Sequence, residues 1–369
     1  MAEIVSSVGS NVADDYSDLA AWWTDKKGDI VSADQVQIAE LRGEEHDAGN
    51  AVNLLMSFAD CTVDSTRYYH IRTMTGAEFH GDFDDIASTA RLTNDGYSGI
   101  VCTVEYTRFE DFVIYNISGT ISYDCIRASA TGNYAKNCGI HNCETIGDTG
   151  GNITLNGFYV LKCINCVVND IYGQQVGSSA KAITIYGIFA DYVYNCTVAN
   201  LEADNDSTGI GNATAIGIGQ LGAAPKAVNN SLVFAVTASC ATGNATAIAT
   251  DYTWAGTEDY NADEDGSTTG VNSITITPAS EVTDTAKATF DCHLKAGADC
   301  IDEGTDLSGE GYSDDIDGVT RTGTWDIGAD QYVGAPPTGW THKIHGVAPA
   351  NMAKVNSVAK ANIGKINQT

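Results

Sequence analysis

Apolar residues recur along this chain in short blocks at a long interval. Ile153 to Gly173 (ITLNGFYVLKCINCVVNDIYG) is nearly repeated from Ile183 (ITIYGIFADYVYNCTVANLEA), so Ile153, Leu155, Gly157 and Cys166 fall on Ile183, Ile185, Gly187 and Cys196. The second half of the unit echoes further: FVIYNI from Phe112, CGIHNC from Cys138, CVVNDI from Cys166, CTVANL from Cys196 and SLVFAV from Ser231. The third and sixth residues are apolar in all five blocks, and the fifth is Asn or Asp in four of them. The steps between blocks are 26, 28, 30 and 35 residues, the range of solenoid repeats.

The blocks are rich in Ile, Val, Tyr and Thr and are punctuated by Gly and Asn, which predicts strands. No helical period of ten or more residues separates them, so a βαβ sheet is excluded, and the Leu-dense pattern of a leucine-rich repeat is absent. Strands returning in register at this spacing predict an all-β fold, a right-handed parallel β-helix. A coil cannot bury its own apolar row, so like residues stack on like. Asn suits the inner corners because it tolerates the left-handed region and its amide can continue a ladder; Cys packs there as a small hydrophobe.

The ends read differently. Asp14 to Trp23 (DDYSDLAAWW) places Leu19, Trp22 and Trp23 at helical spacing behind acidic residues, predicting a short amphipathic helix. Residues 1–24 are therefore expected to cap a β-helix of residues 25–333, whose first coil would otherwise expose apolar cross-section and open strand edges. Phe79 to Asp85 reads as a charged loop, and residues 334–339 (GAPPTG) as a stiff linker. Residues 340–369 carry a second period of eleven, ANMAKVN from Ala350 and ANIGKIN from Ala361, which fits a helical bundle between subunits.

Composition narrows the partners. The 369 residues carry 48 acidic against 19 basic side chains, a net charge of −29. That argues against nucleic acid or an anionic membrane as partner and suits a saline or extracellular setting. The charge is uneven, since residues 331–369 hold four Lys and no Asp or Glu. No stretch approaches the roughly 18 apolar residues of a membrane span. The opening, MAEIVSSVGSNVADDYSDL, lacks the basic and apolar regions of a secretory leader. Eleven Cys, mostly at repeat positions, read as buried thiols made in a reducing cytoplasm; Cys292 and Cys300 are the one pair placed to bridge.

Phe290 to Val333 resembles the terminal segment of many pectate-lyase-like right-handed β-helix proteins. The matches are Leu294, Gly297, Ile301, Asp302 and Gly304, then Asp315, Asp317, Gly318 and Arg321, then Asp326, Ile327, Gly328, Ala329 and Tyr332. Ala298 and Asp299 stand where that pattern has Ser-Pro, and Gln331 where it has Glu. The opening is similar too, through Gly9, Asp15, Tyr16, Leu19 and Trp22. This resemblance implies a fold, not an activity. Residues 340–369 look like the short A-N-I-x-K-V-N endings of β-helix and other structural proteins encoded in phage genomes.

Candidate chemistry is sparse. Asp84-Asp85 and Asp314-Asp315 are the D-D pairs to consider for inverting hydrolysis, which needs carboxylates roughly 6.5–9.5 Å apart, but neither has a G-H-G or R-x-K partner. Between Arg127 and Arg321 there is no Arg to stabilise a lyase carbanion. His141 is expected to point outward in a structural or solvent-facing role, and Asp317 and Asp326 to bind backbone amides in the closing turn. Asp259, Asn261, Asp263 and Asp265 resemble half of an EF-hand-type loop, a calcium candidate set against a solvated acidic turn. Cys163 and Cys166 with Cys138 and Cys143 have zinc-like spacing that stacking also explains. Tyr side chains on an outer face are candidates for sugar contact, with strand propensity the plainer account.

These readings lead to an expected non-enzymatic structural or adhesive protein of a phage particle, a tail fibre, spike or decoration protein, made in the host cytoplasm and assembled as a homotrimer. Lys354, Lys360, Lys365, Met352 and Ile363 are the expected contacts to another subunit or virion protein, with a cell-surface glycan as a further partner. The alternatives are a polysaccharide lyase or hydrolase of the same fold and a secreted bacterial adhesin.

Overall fold

The computed structural model describes residues 1–47, 54–84, 86–93, 99–120, 122–147, 151–177, 181–222, 226–251, 257–268 and 270–334, with the backbone of 354–355 and 358–359. Residues Met1–Gln331 form one compact unit, a parallel β-solenoid of about 8 turns. The expected parallel β-helix is what the chain builds.

Its strands fall into a 14-stranded and a 10-stranded sheet. The larger sheet bends, because the strand Ile153–Ile164 pairs with Tyr123–Ala128 through its first part and with Tyr134–Lys136 through its last. Leu161 marks the bend, and the strand Ile183–Tyr194 bends in the same way. Each turn therefore has a long face, a short face of about three residues, and a third face on the smaller sheet.

The sequence blocks stack as their alignment requires. Val113, Gly139, Val167, Thr197 and Leu232 lie in register on the third face. The third-position residues Ile114, Ile140, Val168, Val198 and Val233 are fully buried. All five fifth-position residues, Asn116, Asn142, Asp170, Asn200 and Ala235, have φ between 52° and 56°, the left-handed region where Asn and Asp are favoured and most side chains strained. A second left-handed corner runs one residue ahead of the blocks, through Asp111, Asn137, Asn165, Asn195 and Asn230. There Asn137 Nδ2 donates to Asp111 at 3.0 Å, Asn165 to Asn137 at 3.1 Å and Asn230 to Asn195 at 3.0 Å.

The first strand, Ala2–Val8, is already a rung, paired along its length with Gln35–Leu41. The expected helix forms at Leu19–Lys26, capped by the Asp18 carboxylate on the Ala21 amide at 2.7 Å. It buries Leu19, Trp22 and Trp23, and both tryptophans meet Tyr69 edge-on at 6.1 and 4.9 Å.

The segment after the last rung does not simply close the far end. It passes through a short helix, Pro278–Glu281, and an antiparallel pair, Val282–Asp284 with Asp291–Leu294. It then lies back along the solenoid as a strap over the asparagine corners. Corner amides donate to its carbonyls, Asn165 to Asp314 at 2.6 Å, Asn230 to Thr305 at 2.7 Å and Asn200 to Thr285 at 3.2 Å, and Asn169, beside the Asp170 corner, donates to Lys287 at 2.7 Å. The corner asparagines thus serve twice, accepting the backbone twist and satisfying a strand-free segment that would otherwise bury unpaired carbonyls. Phe290 anchors the strap, fully buried with ring centres 6.3 Å from Phe83 and 6.0 Å from Phe234. The charged loop around Phe79 and Phe83 buries both rings.

The second compact unit begins at Tyr332. Beyond residues 332–334 its described part is an antiparallel pair, Lys354–Val355 with Val358–Ala359; the rest of the eleven-residue period lies outside the described residues.

Candidate functional site

A concavity lies on the short face, where strand alternation aims two rows of side chains outward between core residues Phe109, Ala135, Cys163 and Val193. One row runs Arg108, Tyr134, Lys162, Tyr192 in register; the next runs Glu110, Lys136, Ile164, Tyr194. The strap supplies the opposing wall through Glu310, Gly311 (φ 94°) and Tyr312. Together they enclose a groove of about 770 Å³.

Cations and aromatic rings are interleaved in it. The Lys162 ammonium sits 5.4 to 5.7 Å from the ring centres of Tyr192, Tyr194 and Tyr312, and donates to the Tyr312 hydroxyl at 3.3 Å. Burial in this tyrosine box lowers the Lys162 pKa, opposed by the charge of Glu310. The Arg108 guanidinium lies 3.5 Å over the Tyr68 ring and donates to its hydroxyl at 2.7 Å. Burial alone would raise the Glu110 pKa, but His70, 3.1 Å away, with the Tyr134 hydroxyl and Lys136, brings it down to about 2. Glu110 is therefore a fixed carboxylate at neutral pH and a poor proton donor. The arrangement is suited to holding a polyanion with ring faces: stacking from the tyrosines and charge from Arg108, Lys136 and Lys162.

The residues singled out in the sequence are placed otherwise. His141 does not face solvent; it is buried, stacked between Phe83 and Tyr115 at 4.7 and 5.5 Å, and its Nδ1 pairs with the Asn169 amide at 2.9 Å. Asp84 is exposed, and Asp85 lies outside the described residues. Asp314 accepts from Thr320, while buried Asp315 accepts the amides of Asp317 and Val319. Asp326 does bind an amide, that of Asp302 at 2.8 Å. Asp317 instead faces two imidazoles, His293 at 3.2 Å and His80 at 3.4 Å.

The four calcium candidates do not converge. Asn261 belongs to the corner stack, accepting from the Ser231 amide and donating to the Val228 carbonyl, both at 2.9 Å. Asp263 is buried and accepts the amides of Gly266 and Thr268, Asp265 accepts that of Ser267, and Asp259 accepts from Asn272. Among the described residues Asp259, Asp263 and Asp265 form no three-ligand cluster, and their spacing marks a turn after a strand. The zinc-like cysteines are likewise spread over successive rungs. Cys138, Cys166 and Cys196 stack at the corner, each thiol donating to the carbonyl two residues earlier at 3.3 Å. Cys292 and Cys300 are both free, so that pair is not bridged. Of Lys354 only the backbone is described; Lys360, Lys365, Met352 and Ile363 lie outside the described residues.

Sequence reasoning passed over the groove because its two walls are about 150 residues apart in the chain. The outward Tyr and Lys positions were visible as strand alternation, but nothing local marked Tyr312 as their neighbour. Comparison with known proteins returns no matching family model, no matching curated protein and no matching solved structure.

Proposed function

We propose that the chain is a non-enzymatic structural and adhesive protein whose rigid β-helix presents the short-face groove to an anionic glycan. The observation that carries this reading is the tyrosine box around Lys162, flanked by Arg108 and Lys136, on a body of net charge −29. Arg108, Lys136 and Lys162 outnumber the carboxylates Glu110 and Glu310 in the groove, which favours an anionic occupant over a neutral or cationic one. The low proton affinity of Glu110 supports binding over cleavage, since glycoside hydrolysis needs a carboxylic acid that stays protonated. Placement on a phage particle, as a tail fibre, spike or decoration protein assembled as a trimer, is proposed from the resemblance of residues 340–369 to phage endings, with Lys354, Lys360 and Lys365 docking the tail to a neighbour.

The test is a titration of the full chain with a uronate polysaccharide (polygalacturonate), with dextran as neutral control. We expect saturable binding of the polyanion that weakens with salt, none of dextran, and at least about tenfold weaker binding in Lys162→Ala and Tyr192→Ala. Equal binding of dextran would overturn the groove reading, and shortening of the polysaccharide would turn it toward a depolymerase. Light scattering with and without residues 340–369 tests the assembly reading: a trimer that becomes a monomer supports it, and a monomer in both cases removes it.

A further inference from the structure

On the strap, away from the groove, the ring of His293 is held from one side by a carboxylate and faces two more from the other. Its Nδ1 pairs with Asp291 at 2.5 Å, and its Nε2 lies 3.2 Å from Asp317. A ring nitrogen of His293, a carboxylate oxygen of Asp317 and one of Asp330 all lie within 4.8 Å of one another. Backbone bonds hold the two aspartate segments. Asp330 accepts the Leu294 amide at 2.8 Å, and the Asp317 turn is pinned by Asp315, which accepts its amide at 3.0 Å.

We propose that His293, Asp317 and Asp330 form a binding site for a divalent transition-metal ion, one nitrogen and two oxygens on a single side of the ion. The imidazole orientation is the first ground. A ring whose Nδ1 is anchored by a carboxylate presents Nε2 as the ligand atom, the arrangement that outer partners impose on metal-binding histidines. The second ground is spacing: ligands at roughly 2.0–2.2 Å around a tetrahedral Zn²⁺ stand about 3.3–3.6 Å apart, close to the observed Nε2–Asp317 distance of 3.2 Å. The third is charge. Asp82 and Asp330 feel the charge of His293, Asp330 also that of Asp315 and Asp317, and Asp291 and Asp317 bond the ring directly, while the buried Arg321 guanidinium donates to the carbonyls of Asp326, Gly328 and Ala329. Five carboxylates around two imidazoles, His293 and His80, and one guanidinium leave an excess of partly buried negative charge. A divalent cation removes that excess. Imidazole with carboxylate selects ions such as Zn²⁺, Co²⁺ or Mn²⁺ over the all-oxygen preference of Ca²⁺.

The consequence is mechanical. His293 lies on the hairpin strand Asp291–Leu294, Asp317 in the turn after it and Asp330 in the final run. His80, from the loop that carries Phe79 and Phe83, stands 3.4 Å from the other oxygen of Asp317 as a reachable fourth ligand. An ion bound here clips three stretches of the strap to one another and to that loop.

The test uses the full chain, stripped with EDTA and dialysed against Co²⁺ or Zn²⁺. We expect one ion retained per chain, a Co²⁺ spectrum without the near-ultraviolet thiolate charge-transfer band, and a melting temperature raised by Zn²⁺ but not by Mg²⁺. Asp291→Asn, which leaves the three ligands in place, is expected to weaken binding about 10- to 100-fold, and His293→Gln to abolish it. His80→Ala, at an exposed position, separates loss of a ligand from loss of fold, and is expected to fold normally and bind no more tightly than the parent. Thiolate absorption, less than one ion per chain, or binding unchanged in Asp291→Asn and His293→Gln would overturn the proposal.

Discussion

Ala235 occupies the one corner at which the repeat lacks Asn or Asp, yet its φ is 53°, matching Asn116, Asn142, Asp170 and Asn200 at 52° to 56°. The neighbouring rungs impose the conformation, and the side chain bears it. For an L-residue the left-handed region costs roughly 1–2 kcal/mol, less for Asn. Ala235→Asn therefore recovers part of that cost. Its amide can also reach toward Asn200 as Asn142 reaches Asn116 one rung apart, and such an exposed bond contributes up to about 0.5–1 kcal/mol net. The expected gain is about 1–2 kcal/mol. Ala235→Gly relieves the backbone but costs about 0.5–1 kcal/mol in unfolded-chain entropy, so it should sit near the parent. Ala235→Val, β-branched at positive φ, should lose 1 kcal/mol or more. The measurement is the urea midpoint by far-ultraviolet circular dichroism, with hydrogen exchange of the Leu232–Cys240 amides reporting the local rung. The expected order of stability is Asn, then Ala and Gly together, then Val. An Asn variant no more stable than the parent, with a Val variant equal to it, would refute the argument that the stack and not the residue sets this corner.

Two further outcomes follow from buried groups. Burial pushes the Asp111 pKa from 3.8 up to about 6, against the Asn137 amide that bonds its charged form. A folded-state value above the unfolded one means the native state loses stability as pH rises from about 4 through 6. Asp111→Asn keeps the left-handed corner and the ladder while removing that loss. The variant should match the parent at pH 4 and exceed it by about 1–3 kcal/mol at pH 8, measured by urea unfolding at the two pH values; a gain of equal size at both would refute the electrostatic cause. Phe290→Ala should cost about 3–5 kcal/mol and free the strap, so limited proteolysis should cut within residues 278–331 while the rungs stay protected. A strap as resistant as the parent's would show that the asparagine amides alone hold it.

Much of the solenoid was legible because its information is nearest-neighbour. Cys138, Cys166, Cys196 and Ser231 are aligned by sequence alone, and the amide after each donates to the carbonyl of its predecessor in the stack, Val167 to Cys138, Thr197 to Cys166 and Leu232 to Cys196. A rung that repeats the side chains of the last must repeat its register, since a slip of one residue would turn the apolar row outward. The helix at Leu19–Lys26 was legible for a related reason, an acidic cap ahead of apolar residues at helical spacing. The EF-hand-like spacing misled because alternate Asp and Asn also mark a strand entering a turn: Asn261 follows Ser231 in the corner stack, and no local signal separates the two uses.

The sequence by itself determined the architecture, the stacked rungs and the Asn/Asp corner within the blocks, because a periodic pattern carries its own partner one period away. Only the tertiary structure decided where the strap lies, and with it the groove and the His293 cluster. Tyr312 meets Lys162 across 150 positions, and Asp317 meets His80 from another loop. These contacts come from a non-repeating segment docking on the carbonyl and amide positions that the finished corners expose. Its path depends on the shape of the assembled stack, which no periodicity in its own residues records.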